Sequence, residues 1–129
     1  MMHMTLRHRP HRLLYVPADD RPCNSYWPRL LARMVDWELV MPPGETLGWF
    51  HRPGRPEEIA AWALDQVREP LDGAVISLDM IAYGGLAASR SPNIRTALAE
   101  RRVEFLAELK SAAPDLPIYV FGSLMRVYT

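Results

Sequence analysis

The sequence predicts an α/β domain with the element order β-α-β-α-β-α-β and parallel strands. Four short apolar runs carry this reading: Leu13–Val16, Glu38–Met41, Ala74–Ile76 and Ile118–Phe121. They are nearly continuous rather than alternating, as in strands covered on both faces. Each is separated from the next by a segment long enough for a helix, which implies parallel pairing through right-handed crossovers. Two architectures satisfy that order. The first half of a (β/α)8, TIM-like barrel is the leading expectation, and a small open doubly wound sheet is the alternative.

Residues 1–12 (MMHMTLRHRPHR) are basic and lack an apolar core, so they read as a disordered leader and not as a secretory signal. The domain proper is expected over 13–129. After the first run, Pro17 opens the loop Ala18–Asn24, and Ser25 is placed to cap a helix with Trp27, Leu30, Leu31 and Met34 on one face. Pro28 falls in its first turn, where a missing N–H costs little. The second run stops at Pro42-Pro43-Gly44, and a loop bearing Leu47, Trp49, Phe50 and His51 follows. Pro56 opens the next helix, with Glu57 and Glu58 at the positive end of its dipole and Ile59, Trp62, Ala63 and Val67 facing inward. Pro70 closes it.

The third run, within Gly73–Arg90, ends in Ser77-Leu78-Asp79 and passes to a turn at Tyr83-Gly84-Gly85. Ser91-Pro92 then begins the longest helical pattern, with Ile94, Leu98, Val103, Phe105, Leu106 and Leu109 as its core. Pro114 and Pro117 introduce the last strand. No helix follows it. In sequential order 1-2-3-4 the sheet would keep one bare apolar face, so the chain is expected to be the N-terminal fragment of a longer domain and to self-associate. An order 2-1-3-4 would let four strands stand alone.

Fifteen basic and fifteen acidic residues cancel, which gives no electrostatic case for nucleic acid or an anionic membrane. The single cysteine excludes an internal disulfide framework, and no window reaches the ~20 apolar residues of a membrane span. These totals direct the reading to a cytoplasmic protein.

Four segments, Leu13–Asn24, Glu38–Gly48, Ile76–Arg90 and Leu116–Arg126, resemble in that order the N-terminal part of the bacterial family DUF4127, a domain of unknown function. The most specific marks are Asp20-Arg21-Pro22, Ser77-Leu78-Asp79-Met80, Tyr83-Gly84-Gly85 and Ser89-Arg90. The resemblance implies an α/β fold and a chain that continues past Arg126. It implies no activity.

In parallel α/β folds the strand C-termini open onto one side, where ligands bind. Asp20, Arg21 and Asn24 follow the first strand, Asp79, Tyr83 and Arg90 the third, and Arg126 the fourth. Strands one and three of a barrel are ~10 Å apart, which would bring Asp20 and Asp79 within the ~5–9.5 Å of paired glycosidase carboxylates. The expectation is a hydrolase acting on a carbohydrate-like polar substrate. Asp20 and Asp79 serve as its catalytic pair, and Arg21, Asn24, Tyr83, Arg90 and Arg126 bind the substrate. No cofactor is predicted. A divalent metal held by the same carboxylates, serving phosphoryl or amide hydrolysis, is one alternative, and a non-catalytic small-ligand module is the other. Bland roles compete at each position. Asp-Asp-Arg-Pro can be a turn with an internal Asp–Arg pair, and Gly84-Gly85 is no phosphate loop of the GxGxxG or Walker kind. Cys23 has no nearby histidine to activate it, and Trp49 and Phe50 suit either stacking on a sugar or packing on a helix.

Overall fold

The structure is a computed structural model that describes residues 9–90 and 94–124. The leader residues 1–8, the Ser91-Pro92 helix start and Arg126 lie outside the described residues. Four strands form one parallel sheet: β1 (His11–Val16), β2 (Trp37–Val40), β3 (Gly73–Ser77) and β4 (Ile118–Phe121). They lie side by side in the order β2-β1-β3-β4.

That order corrects the half-barrel expectation. A barrel needs β2 between β1 and β3, whereas here β1 pairs with both, Leu14 opposite Val40 on one side and Ala74 on the other. The sheet is the open, doubly wound alternative. The physical consequence is a reversal of direction. The crossover leaving β1 steps one way along the sheet and the crossovers from β2 to β3 and β4 step the other way. Right-handed connections then place helix α1 (Tyr26–Met34) on one face and α2 (Pro56–Gln66), α4 (Thr96–Val103) and α5 (Phe105–Ala112) on the other.

The core lies between the sheet and the second group of helices. Leu14, Val16, Ala74 and Ile76 point into it from the two central strands, in register Leu14–Ala74 and Val16–Ile76, and are fully buried. Ile59 and Ala63 of α2, Phe105 and Leu109 of α5, and Met80 and Ile81 of the short helix α3 (Leu78–Tyr83) close over them. Pro56 takes the first position of α2 as its fixed φ favours, with Glu57 and Glu58 in the first turn. Arg102 ties the helices together. Its Nε donates to Glu57 at 2.8 Å and its Nη1 to the Ala82 carbonyl at 2.9 Å. Burial is the largest single influence on the Glu57 carboxyl and pushes it up, but the Arg102 hydrogen bond, a backbone N–H and the Arg102 charge together hold it below its ordinary value.

Four local expectations change. β1 starts at His11 and not Leu13, because the His11 N–H reaches the Asp36 carbonyl and the Arg12 N–H reaches the Asp72 carboxylate. Ser25 does not cap α1: its hydroxyl donates backwards to the carbonyls of Asp20 and Arg21. Trp27, Leu30, Leu31 and Met34 recur at helical spacing as read, yet that face of α1 is exposed and none of the helix is buried. The long C-terminal helical pattern divides at Glu104 into α4 and α5. Among the described residues no helix is long and apolar enough to cross a membrane.

Asp72 staples the starts of β1 and β3. Its Oδ2 accepts the Arg12 N–H at 2.8 Å, its own N–H donates to the Arg12 carbonyl, and His11 Nδ1 lies at 3.5 Å. The Arg12 N–H is the main cause that lowers its carboxyl, with His11 adding to it. A depressed carboxyl stabilises the fold fully above the unfolded-state value and loses that contribution as pH falls through the folded one. Urea titrations in the acid range below about pH 4 are therefore expected to show a shallower loss of stability in Asp72→Asn than in the parent.

Candidate functional site

The reversal of crossover direction falls between β1 and β3, and open α/β sheets bind ligands in the crevice at that point, outside the strand C-termini. A cleft of about 510 Å³ occupies it. Its volume is in the range of small-molecule sites, ~300–1,000 Å³. Three segments wall it. Asp19, Asp20, Arg21 and Pro22 come from the loop after β1. Leu47 and Trp49 to Arg52 come from the loop after β2. Gly84 to Ala88 and Arg90 come from the turn after α3.

The first wall is built by Asp19. Its Oδ1 accepts the Arg21 N–H at 3.0 Å and the Asn24 side-chain amide at 2.7 Å, and its Oδ2 accepts Arg21 Nε at 2.7 Å. This is the internal Asp–Arg turn that the sequence allowed, with Asp19 as the partner. The hydrogen bond and then the charge of Asp19 raise the Arg21 guanidinium further. Tyr15 secures the far end of the loop, its hydroxyl donating to the Asn24 carbonyl at 2.6 Å. Burial, followed by the charges of Asp19 and Cys23, pushes that phenol up. Asp20 stays outside the network. Its carboxylate accepts no hydrogen bond from the described residues and lines the cleft.

The second wall is a tight hairpin. Trp49 and Arg52 exchange backbone hydrogen bonds of 3.2 and 2.8 Å around Phe50-His51. Phe50 sits at φ 50°, a left-handed conformation that bulky side chains rarely adopt. Gly48 makes the turn feasible: φ is +82° and a Cβ there would stand 2.4 Å from the Arg52 carbonyl oxygen. The rings of Trp49 and Phe50 are 64% and 77% exposed, so they do not pack on a helix. Their centroids lie 5.3 Å apart at 57°, an open corner at the rim.

The third wall follows α3, a helix at a place where the sequence predicts the end of a strand and a turn. Ser77 starts it by accepting the Met80 N–H at 3.3 Å. Gly84 ends it in the left-handed conformation, φ 89°, where the Gly84 and Gly85 N–H groups return to the carbonyls of Met80 and Asp79. Leu86 N–H then reaches the Ala18 carbonyl at 2.9 Å, joining this wall to the first.

Asp20, Arg21 and Arg90 therefore meet in one cleft. Asn24 and Tyr83 do not line it, and neither does Asp79. Asp79 is 5% exposed in the first turn of α3, and its Oδ2 accepts at 3.0 Å the N–H of Ser123, the second residue beyond β4. Cys23 is an exposed free thiol outside the lining. Arg52 and His51 do line the cleft. The sequence carries no signal for Arg52, since only the hairpin geometry turns it inward. Among the described residues no group of three His, Cys, Asp or Glu side chains is placed to hold a metal ion.

A family model described as "Protein of unknown function (DUF4127)" matches residues 13–129. No curated protein and no solved structure matches the chain.

Three substitutions at Asp79 and Gly84 test how α3 is held. Asp79→Ala removes a charged acceptor and is expected to cost about 1–3 kcal/mol in chemical denaturation. Asp79→Asn keeps an acceptor for Ser123 and costs less. Gly84→Ala places a Cβ 2.9 Å from Pro53 Cβ at a positive φ. It is expected to lower stability by about 1–3 kcal/mol.

Proposed function

The chain belongs to the DUF4127 family, a membership that assigns no reaction, and we propose that this domain binds a small anionic molecule in the cleft between β1 and β3. One observation carries the reading. Arg52 and Arg90 line the same cleft, and among the described residues neither guanidinium has a hydrogen-bond or ion-pair partner. Arginine forks bind carboxylate or phosphate in a bidentate manner, and most of the remaining lining is apolar, which strengthens such contacts. Arg21 is already engaged by Asp19 and contributes charge more than a free fork.

Hydrolysis of the bound molecule is a second reading, favoured by Asp20. A carboxylate that lines the cleft and accepts no internal hydrogen bond is available as a general acid or base. The paired version would need Asp79, which is buried and does not line the cleft, to turn into it.

Calorimetric titration with inorganic phosphate and with gluconate tests the anion site. Both are expected to bind, more weakly as salt rises. Arg52→Ala/Arg90→Ala is expected to weaken them by tenfold or more, about 1.4 kcal/mol. Undiminished affinity in the double variant would refute the assignment.

A further inference from the structure

We infer that the ligand is an anionic monosaccharide, a pyranose bearing a carboxylate or a phosphate. The inference rests on the reading of the cleft as an anion site and adds two recognition elements to it. The first is Asp20. An anion held by Arg52 and Arg90 in the same cleft would face a second negative group unless the ligand also donates hydrogen bonds. Ring hydroxyls do so, and a carboxylate with free lone pairs can accept two of them at once.

The second element is the aromatic corner. Trp49 and Phe50 stand exposed at the rim with their ring planes tilted by 57°, so neither face is consumed by the other. The hairpin that holds them is rigid. Its two backbone bonds close the turn, the Gly54 N–H binds the Gly84 carbonyl at 2.6 Å, and the Arg55 N–H binds the Thr46 carbonyl at 2.8 Å. Phe50 accepts a strained left-handed backbone in that turn, and such strain clusters at active sites, ligand clamps and switch regions. A pyranose offers a flat C–H face to such rings while its hydroxyls point sideways. An acyclic anion of the same charge has no face to stack.

Glucuronate, glucose 6-phosphate, gluconate and inorganic phosphate titrated against the full chain separate the possibilities. Glucuronate or glucose 6-phosphate should bind about tenfold more tightly than gluconate or phosphate, and the tighter of the two names the anionic group. Trp49→Ala and Phe50→Ala replace exposed side chains and leave the fold intact. Each should erase most of the ring preference and leave gluconate and phosphate binding unchanged. Asp20→Asn should weaken the sugars, which lose an acceptor for their hydroxyls, and strengthen phosphate, which loses a like charge. Equal affinity for glucuronate and gluconate, with both still dependent on Arg52 and Arg90, would overturn the sugar assignment and keep the anion site. Binding of none of the four would overturn both.

Discussion

The turn Gly84-Gly85-Leu86 holds the cleft together. The Gly84 carbonyl accepts the Gly54 N–H at 2.6 Å, and the Leu86 N–H donates to the Ala18 carbonyl at 2.9 Å. Three consecutive residues thus tie the loop after β1, the hairpin neck after β2 and the end of α3 into one unit. The contacts are too close for side chains. A Cβ on Gly84 would stand 3.0 Å from the Gly54 nitrogen, and one on Gly54 2.6 Å from the Thr46 carbonyl oxygen. These glycines serve backbone-to-backbone approach. Three loops, each poorly fixed alone, become walls of defined geometry because every one spends a backbone group on this node.

The parts of the fold that were legible in the sequence are those that a local pattern encodes. Ala74–Ile76 reads as a buried strand and is one, with Ala74 and Ile76 fully buried and Val75 half-buried, and Pro56 with Glu57 and Glu58 marks the start of α2 to the residue. Strand order is different in kind. Whether β1 or β2 takes the centre of the sheet depends on which way one crossover turns, and no residue in the α1 connection announces that choice. Helix α3 was hidden by its length of six residues, under two turns, where periodicity carries no information. Its start was visible only in Ser77, which also looks like the polar end of a strand. The apolar stripe of α1 shows the reverse limit. Helical spacing was correctly recognised in Trp27, Leu30, Leu31 and Met34, but spacing says which residues share a face and not which way that face turns.

The site followed the same division. That polar residues after β1 and β3 would gather at one edge of the sheet needed only parallel strands, and Asp20, Arg21 and Arg90 do gather there. Their partners needed the hairpin. Arg52 becomes a cleft residue because Gly48 lets the chain reverse within two residues, and Trp49 and Phe50 become a rim because the same reversal leaves them no helix to cover.

The separation of Asp20 from Asp79 shows how strand order and helix position act together. With β1 and β3 adjacent, roughly 4.8 Å apart instead of the ~10 Å of a barrel, the two aspartates begin closer than the sequence reading supposed. They still part, because β3 ends at Ser77 and the chain coils at once. The first turn of α3 swings Asp79 toward β4, where the Ser123 N–H meets its carboxylate. The chain after β1 turns only from Arg21 onward, where the carbonyl of Arg21 accepts the Asn24 and Ser25 N–H groups, and Asp19 takes the internal hydrogen bonds of Arg21 and Asn24, leaving Asp20 to the cleft. One carboxylate is committed to joining β3 to the segment after β4, and the other keeps its lone pairs. Two acidic residues at equivalent strand ends thus acquire unlike roles from the few residues of chain that follow each strand.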